Sequence, residues 1–536
     1  MRLTWPGALR LAVLCGFAIV LQWGGGAYRS EAAGDPDEPA HLVTGLMARE
    51  YVKSGWGRVP IEFAREYYLH YPKVAIGHWP PVFYAEQALW SLVFPVSHQS
   101  LLVMMAVQSA LLGALLWPLL RRRFGPAAAW CGVLVLATLP GLAAQGAMVM
   151  TEIPEAVLIL LATLAWGEYV ESGRAKHAIA FGVLSAAAIM TKGTGLVLAG
   201  MPLLSVWLAG RVDLLRRATF WIPGIIVLTL CAPWYLLAPA ALHQRVQAFG
   251  GLGFVIRHLS YPATAWPAHF GWTVTILAVA GLVVLLYQRA TGSSLDSTWA
   301  SVTALVIAAT VTPVFFGAWE ARHVVEAAPE FLLLAAAGAG WIASRPSLRR
   351  IATPYKLATL AMASLLLVGW NVTRLPRHTS LGYRELAGAI AAGSFGPART
   401  IVTSGDSIAE GTLISEIALR EPRPIRYIVR GTKLFADISW MGQVAELRVN
   451  GAAQLYAMLM PVPVDLVVID RVAAAPYPYQ PQLEQALTEH PDQWQRVDSR
   501  AYHQRFDVFR RTTDGPALSS SEIAMKLQAV LANPVP

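Results

Sequence analysis

The chain has 536 residues, of which 55% are hydrophobic and only 14% are charged. Soluble globular proteins carry roughly 25% charged residues, so this composition excludes an ordinary soluble enzyme. Lysine and arginine outnumber aspartate and glutamate by 42 to 33, an excess that membrane proteins place in cytoplasmic loops, so we expect no nucleic-acid partner. Cys15, Cys131 and Cys231 lie far apart in apolar stretches, which argues against a disulfide framework and a cysteine-ligated metal.

Apolar segments of roughly 20 residues, the length that crosses a bilayer, recur along the first two thirds of the chain. The first, 9–23, could be the hydrophobic core of a signal peptide. We predict an uncleaved membrane helix instead, because no clean small-residue cleavage site follows it and the later spans need an orientation. The other predicted spans centre on 99–120, 126–146, 155–170, 177–191, 194–210, 219–238, 270–287, 299–317, 329–343 and 355–371. The sequence therefore predicts a polytopic α-helical membrane protein with about eleven transmembrane helices.

The basic residues between these spans predict the orientation of the chain. When the spans alternate in direction, all of the basic clusters fall on one side, which the positive-inside rule makes cytoplasmic. These clusters are Arg2 and Arg10; Arg121, Arg122 and Arg123; Arg174 and Lys176; Arg211, Arg216 and Arg217; Arg289; and Arg345, Arg349 and Arg350. We therefore expect a transmembrane domain at 1–376, with a first outer loop at about 25–98, and a soluble extracytoplasmic domain at 377–536.

Two segments outside the spans have recognisable local patterns. Residues 82–95 are apolar but short, which favours a helix in the membrane interface. The C-terminal region alternates short apolar runs with turns, so we predict a small α/β layer with strands at 399–403, 425–429, 464–470 and 506–509 and a helix at 407–419. Gly405-Asp406-Ser407 echoes an esterase turn, but no convincing histidine partner follows, and we predict a helix N-cap there.

Ionisable residues also gather on the predicted outer side. Asp37 and Glu38 follow the first span, where a solvated loop is the simplest explanation for an acidic pair. An aromatic, proline-rich run at 70–84 comes next in the same loop. Glu152 then opens a later membrane helix on the same side, and carboxylates at membrane depth tend to mark functional sites.

Together these pieces resemble the GT-C glycosyltransferases of the protein O-mannosyltransferase and lipid A aminoarabinose transferase type. Those proteins combine an acidic pair, an A-R-E helix end, a K-P-P turn, an acidic helix start, a T-K-G turn and a late R-Y helix start. The matching pieces here are Asp37-Glu38, Ala48-Arg49-Glu50, His78-Trp79-Pro80-Pro81, Glu152, Met190-Thr191-Lys192-Gly193, and Arg322-His323 with Pro329. The resemblance covers about residues 1–345, and its strength lies in the order of the motifs.

The chain departs from the family pattern at three of these motifs. His78-Trp79 stands where the family has a lysine before Pro-Pro, although Lys73 is near. Glu152 replaces an aspartate, and His323 replaces a tyrosine. These departures bear on how a phosphate is contacted rather than on the type of reaction.

The resemblance implies inverting transfer of a sugar from a polyprenyl-phosphate donor to an acceptor hydroxyl on the extracytoplasmic face. A single displacement needs a general base for the hydroxyl proton, and Asp37 is our candidate, with Glu38 as the alternative or as its electrostatic partner. It also needs cations or hydrogen-bond donors that stabilise the departing phosphate. The candidate substrate-binding residues are Lys192, Arg322, Glu152, His78, Lys73 and His323.

The same resemblance implies the partners. We expect no tightly bound cofactor; a divalent metal is an alternative that we do not favour, since no H-x-x-x-H or H-E-x-x-H spacing is present. The expected partners are the lipid bilayer, the polyprenyl-phosphate sugar and an acceptor glycan, lipid or protein, at the inner (plasma) membrane of the cell envelope. The rival function is a transporter or flippase of a lipid-linked substrate, which would favour ionisable groups in broken mid-membrane helices.

Overall fold

The computed structural model describes residues 5–237, 251–315, 320–349, 353–438, 444–472, 477–497, 505–512 and 518–530. The chain divides into two units. The first unit comprises residues 1–25, 77–83 and 102–377. The second unit comprises residues 26–76, 84–101 and 378–536, so it joins most of the first outer loop to the C-terminal residues.

Apolar helices make up the first unit. In hydrocarbon every backbone N–H and C=O must bond within its own segment, which is why apolar runs of this length are helical. Among the described residues, eight helices are long and apolar enough to cross a bilayer. They are Trp5–Gly24, His98–Thr138, Glu152–Ser172, Ala218–Leu237, Trp272–Ala290, Ser297–Val314, Ala321–Ala343 and Thr353–Val372. The chain is therefore a multi-pass membrane protein, as predicted.

Shorter helices connect the long ones. They are Pro140–Gly146, Ala175–Ile189, Met201–Leu208, Gly251–His258, Tyr261–Phe270 and Pro346–Arg349, with 3₁₀ helices at Gly193–Ala199, Val212–Arg216 and Ala321–Ala327. The helix His98–Thr138 is interrupted at Gly125, whose φ of 87° only glycine adopts readily. This break separates the segments predicted at 99–120 and 126–146, and the second of these ends early, at Thr138.

Two glycines allow one pair of membrane helices to meet backbone to backbone. A β-carbon on Gly281 would lie 2.0 Å from the carbonyl oxygen of Leu334. A β-carbon on Gly338 would lie 2.1 Å from the carbonyl oxygen of Leu277. Small residues at such crossings let membrane helices approach closely. The contact fixes the helix Ala328–Ala343, which continues directly from the 3₁₀ helix that carries Arg322.

The second unit contains short helices and two sheets. Its helices are Glu38–Glu50, Pro60–His70, Val82–Val93, Tyr383–Ala391, Ser407–Arg420, Gly431–Leu434, Ala452–Leu459, Gln480–Thr488 and Ser520–Val530, with a π-helical turn at Tyr51–Gly55. Its strands are β1 Thr400–Ser404, β2 Tyr427–Arg430, β3 Ala436–Ile438, β4 Val444–Leu447, β5 Leu466–Asp470, β6 Trp494–Val497 and β7 Phe506–Arg511. The predicted apolar runs correspond to β1, β2, β5 and β7.

The larger sheet has the strand order β2-β1-β5-β7-β6. Strand β1 pairs in parallel with β2 and β5, whereas β7 pairs antiparallel with β5 and β6. Strands β3 and β4 form a separate antiparallel pair. Leu69, from the first outer loop, belongs to the apolar core of this sheet, and His70 stacks on Tyr427 of β2 with ring centroids 4.2 Å apart. The outer loop and the C-terminal residues therefore share one core.

Candidate active site

Helix ends bring three of the predicted residues together in the first unit. Glu152 is the first residue of the helix Glu152–Ser172 and is fully buried. Lys192 precedes the 3₁₀ helix Gly193–Ala199, and Arg322 lies in the 3₁₀ helix Ala321–Ala327. Both cations are also buried, at 7% and 9% exposure. Charged groups rarely occupy such positions without a partner or a function.

Glu152 is the common partner of the two cations. The Nζ of Lys192 donates a hydrogen bond of 2.7 Å to Oε1 of Glu152. The Nε of Arg322 lies 3.4 Å from the same oxygen. Two nearby cations favour the ionised form of a buried carboxylate, and through these contacts Glu152 holds Lys192 and Arg322 in place.

A local cap holds the segment that carries Arg322. The side chain of Glu320 accepts a hydrogen bond from the backbone N–H of His323, and Nδ1 of His323 accepts one of 3.1 Å from the backbone N–H of Glu320. Because Nδ1 accepts here, the proton of a neutral His323 is on Nε2. Glu320 also lies 2.9 Å from the Nε of Arg322, but it is half exposed, so solvent weakens that pair.

The His78 turn joins the same region. The backbone N–H of Val82, which follows His78-Trp79-Pro80-Pro81, donates a hydrogen bond of 3.0 Å to the carbonyl oxygen of Met190. Met190 begins the turn that ends at Lys192. The ring of His78 contacts that of Trp79 edge to face, with centroids 4.7 Å apart. Two turns that the sequence motifs singled out are therefore hydrogen-bonded neighbours.

Further buried carboxyl groups lie near Lys192 that sequence reasoning did not single out. Glu155 is one helical turn beyond Glu152, and the hydroxyl of Thr194 donates to its two oxygens over 2.8 and 2.9 Å. Glu326, four residues after Arg322, is also buried and interacts electrostatically with the charge of Lys192. The spacing of Glu152 and Glu155, which places both on one face of a helix, is the sequence signal that could have identified Glu155.

The acidic pair lies in the second unit, at the start of the helix Glu38–Glu50. Asp37 is the N-cap residue and is partly exposed, and its backbone N–H donates a hydrogen bond of 2.9 Å to Oδ1 of Asp35. Glu38 is the first helical residue and is almost completely buried. Although the two carboxylates are adjacent in sequence, the helix start gives them different surroundings.

Both oxygens of Glu38 are engaged inside the protein. Oε2 accepts a hydrogen bond of 3.0 Å from the backbone N–H of Gly34, and Oε1 lies 3.0 Å from Nε2 of His98. The other ring nitrogen of His98 lies 3.3 Å from the carbonyl oxygen of Ser30. The ring of His98 therefore bridges Glu38 and the carbonyl oxygen of Ser30 inside the protein.

Asp37 has a different environment, which contains a phenol and an amine. Burial, and then the charge of Asp37, raise the pKa of the Tyr84 phenol well above its ordinary value, so Tyr84 keeps its proton. The Tyr84 hydroxyl is also 2.8 Å from Nδ1 of His41. Burial, and then the charge of Arg430, lower the pKa of Lys73 to about 7, against the opposing effect of Asp37.

Lys73 is held by the C-terminal part of the second unit. Its Nζ donates to the carbonyl oxygen of Ser407 at 3.2 Å and lies 3.4 Å from the Ser407 hydroxyl. Ser407 begins the helix Ser407–Arg420, whose N-cap is Asp406, with Oδ1 accepting from the N–H groups of Ile408 and Ala409. This confirms the prediction of a helix cap at Gly405-Asp406-Ser407.

Within the described ranges, no group of three or more histidine, cysteine, aspartate or glutamate side chains is arranged to hold a metal ion. In the first unit His323 is committed to its cap through Nδ1, and Glu152 to two cations. The first unit therefore offers a pair of buried cations, and the second unit offers a partly exposed carboxylate.

Comparisons with known proteins find one related family and several related folds. Residues 78–237, which include His78, Glu152 and Lys192, match the family described as dolichyl-phosphate-mannose-protein mannosyltransferase. The structure of ArnT from Cupriavidus metallidurans bound to undecaprenyl phosphate is similar over 97% of this chain and 100% of that one, with a TM-score of 0.59 and 15% identity. The fold is that of the GT-C membrane glycosyltransferases.

A second set of structures shares this GT-C fold. The oligosaccharyltransferase of Archaeoglobus fulgidus is similar over 87% of this chain and 69% of that one, with a TM-score of 0.57 and 13% identity. Its AglB complex with an inhibitory peptide and a dolichol-phosphate gives a TM-score of 0.55 at 12% identity. A comparison of the sequence with curated proteins finds no match. The predicted resemblance and the helical GT-C membrane fold are confirmed, as is the prediction of a glycosyltransferase, for the matched family segment and the fold. The number of spans and the placement of the C-terminal domain stay predictions.

Proposed function

We propose that this protein transfers a sugar from a polyprenyl-phosphate donor to an acceptor hydroxyl by a single displacement with inversion. The acceptor oxygen attacks the anomeric carbon while the bond between that carbon and the phosphate oxygen breaks. The hydroxyl proton passes to a carboxylate, and the polyprenyl phosphate leaves as the dianion. This assignment combines the GT-C fold with the buried Glu152–Lys192–Arg322 cluster, and the cluster is the observation on which it chiefly depends.

The cluster fits a phosphate because its cations are pre-oriented and shielded from water. Lys192 and Arg322 carry two positive charges against the single buried charge of Glu152. An arginine binds phosphate oxygens in a planar fork, and a lysine acts as a point charge. Cations fixed before the reaction stabilise the charge that develops on a leaving phosphate. The Nε2–H of His323 and the side chain of His78 are proposed as additional contacts to the donor.

Asp37 is the proposed general base. Glu38 has both oxygens committed to Gly34 and His98, whereas Asp37 is partly exposed at the helix start. A base must reach the acceptor hydroxyl, so the more accessible carboxylate is the better candidate. The charge of Asp37 interacts with the Lys73 amine, which lies in the same unit.

The proposal predicts activity with lipid-linked sugars. Purified protein in lipid nanodiscs is offered a panel of radiolabelled polyprenyl-phosphate sugars, and release of polyprenyl phosphate is measured with and without candidate acceptors. We expect turnover with at least one donor, and Arg322→Lys should impair it because the planar fork is lost. Arg174→Lys is the matched control, since Arg174 is exposed on the same unit. Equal turnover in wild type and Arg322→Lys would remove the arginine from the mechanism.

A transporter would give a different result in the same preparation. A flippase of lipid-linked sugars would move a fluorescent polyprenyl-phosphate sugar across the bilayer of a proteoliposome without breaking its glycosidic bond. Such movement, together with no release of polyprenyl phosphate from any donor, would favour the transporter and contradict the glycosyltransferase.

The proposed orientation places residues 377–536 and the first outer loop outside the cytoplasm, at the inner membrane. The basic clusters between the spans support this arrangement. Alkaline phosphatase fused after Arg377 should be active, and the same enzyme fused after Arg123 should be inactive. The opposite pattern at both positions would overturn the proposed side of the reaction.

A further inference from the structure

Glu31, six residues before Asp37, binds the start of a C-terminal helix within the second unit. It is 1% exposed, although no motif marks it in the sequence. Its carboxylate accepts four hydrogen bonds from residues at the start of the helix Tyr383–Ala391. The donors are the hydroxyl of Ser380 at 3.1 Å and the backbone N–H groups of Leu381 at 2.9 Å, Gly382 at 3.1 Å and Arg384 at 3.2 Å.

The helix Tyr383–Ala391 requires such a partner. Its N-cap residue is Gly382, which has no side chain and a φ of 87°, so it cannot cap the helix itself. The first N–H groups of a helix have no acceptor within the helix, and its N-terminal end attracts negative charge. A carboxylate from the outer loop satisfies both requirements. Glu31 therefore caps this helix from a distant part of the chain.

A second set of contacts continues from this cap to the acidic pair. The guanidinium of Arg384 donates to the carbonyl oxygen of Ser30. The same oxygen accepts the hydrogen bond from Nδ1 of His98, whose other nitrogen pairs with Glu38. Glu38 in turn accepts from the N–H of Gly34. The network thus runs from the C-terminal helix to the residue beside Asp37.

The helix Ser407–Arg420 supports the loop on another side. Its Thr412 hydroxyl donates a hydrogen bond of 3.1 Å to the carbonyl oxygen of Ala32. Its Gly411 leaves room for the loop, because a β-carbon there would lie 2.8 Å from Cε of Lys73 and 3.1 Å from Cγ of Pro39. Pro39 is two residues beyond Asp37, so this packing bears directly on the start of the helix Glu38–Glu50.

We propose that the C-terminal residues hold the acidic loop in its reactive conformation, and that Glu31 is the positioning residue through which they do so. The residues 378–536 are then part of the catalytic apparatus rather than an appended domain. The expected effect of Glu31 on kcat rests on the proposed function, because Glu31 acts through Asp37 and does not touch the substrates. The claim that Glu31 orders residues 31–38 does not depend on that function.

Glu31→Gln tests the proposal with little change in volume. The amide removes the charge and places an N–H₂ group against at least one of the donors that Glu31 now accepts from, so the cap is weakened. A misplacement of about 1 Å can cost roughly 100-fold, and we expect kcat to fall by about 10- to 100-fold. The donor KM should stay within about twofold, because the proposed phosphate cations lie in the other unit. Glu385→Gln is the matched control, an exposed carboxylate in the first turn of the same helix, and should leave kcat unchanged.

Hydrogen exchange separates this inference from the proposed function. In Glu31→Gln the amides of residues 31–38 should exchange faster by about tenfold, while those of β1 and β5 keep their protection. If wild-type protein transfers no sugar, the proposed function fails, yet the exchange result still decides whether Glu31 orders the loop. Wild-type kcat and unchanged exchange in Glu31→Gln would overturn the positioning role.

A second variant keeps the test decisive if Glu31→Gln does not fold. Gly411→Ala adds one methyl group that must displace Lys73 and Pro39, and alanine favours the helix itself. We expect it to lower kcat by about tenfold while the protein keeps its unfolding temperature within a few degrees. Full activity in Gly411→Ala would contradict the claim that this helix positions the loop.

Discussion

Replacing Glu152 by glutamine should destabilise the first unit strongly. The variant keeps the volume of the side chain but leaves Lys192 and Arg322 buried without their shared anion. At an effective dielectric constant of about 20, contacts of 2.7 and 3.4 Å correspond to gross attractions of roughly 6 and 5 kcal/mol. Desolvation offsets much of this, and breaking a buried pair typically costs about 3–5 kcal/mol. We expect a loss in that range.

A double-mutant cycle isolates the interaction. Lys192→Met should cost less than Glu152→Gln, because Arg322 still neutralises the carboxylate. The double variant Glu152→Gln/Lys192→Met removes one anion and one cation together, so its loss should be smaller than the sum of the single losses by at least about 1 kcal/mol. Unfolding free energies are measured by circular dichroism in mixed micelles with increasing denaturing detergent.

Two outcomes would refute this reasoning. The first is a Glu152→Gln protein within about 0.5 kcal/mol of wild type, the range of ordinary surface substitutions. The second is strict additivity in the cycle, which would mean that Glu152 and Lys192 do not interact. Thr310→Val, on the partly buried face of another membrane helix, serves as a control for a polar substitution without a charge.

Three further predictions follow from the structure. Asp37→Asn should lower kcat by about 10²–10⁴-fold without changing the unfolding temperature. Glu38→Gln should lower the unfolding temperature because its buried contacts with Gly34 and His98 are disturbed, and the reverse pattern would exchange the two roles. The pKa of Lys73 is lowered to about 7, so its protonated form is unfavourable in the folded protein. The free energy of unfolding should therefore rise as the pH increases from about 7 to 10. Lys73→Met should flatten that rise in thermal unfolding scans. Gly338→Ala should reduce stability or yield by forcing a methyl group against the Leu277 carbonyl, and unchanged yield and unfolding temperature would contradict the close helix crossing.

The long apolar helices could be predicted from composition because bilayer thickness sets their length. The break at Gly125 was visible only as a gap between two predicted segments. In the C-terminal region the buried strands β1 and β5 have continuous apolar runs and were predicted. Strand β6, Trp494–Val497, was missed because it lies at the edge of the sheet, and among its four residues only Trp494 is buried.

The candidate site was predictable in its residues but not in its pairings. The motif order singled out Glu152, Lys192 and Arg322, yet no local pattern shows that one carboxylate serves both cations, since the residues are far apart in the sequence. Likewise, Asp37 and Glu38 look equivalent in sequence. His98, which distinguishes them, is 60 residues further along the chain. Such pairings depend on tertiary packing, which a single sequence does not display.

Glu31 shows what an indirect sequence signal looks like. The helix Tyr383–Ala391 begins after Leu381-Gly382, without the serine, threonine, aspartate or asparagine that normally caps a helix. A helix start that lacks its own cap and is buried must find an acceptor elsewhere in the chain. The absent cap therefore predicts a distant acceptor, although it does not identify which residue supplies it.

The charged groups of the two units are held by separate contacts, and this bears on how the proposed chemistry is divided. Lys192 and Arg322 are fixed by Glu152 within the first unit, and Asp37 is fixed by contacts within the second. If the cations bind the donor phosphate and Asp37 takes the acceptor proton, Lys192 and Arg322 govern donor binding and departure of the phosphate. Asp37 then governs activation of the acceptor. Changes in donor chemistry can then arise in one unit without altering the base, which the acidic loop and its C-terminal supports maintain.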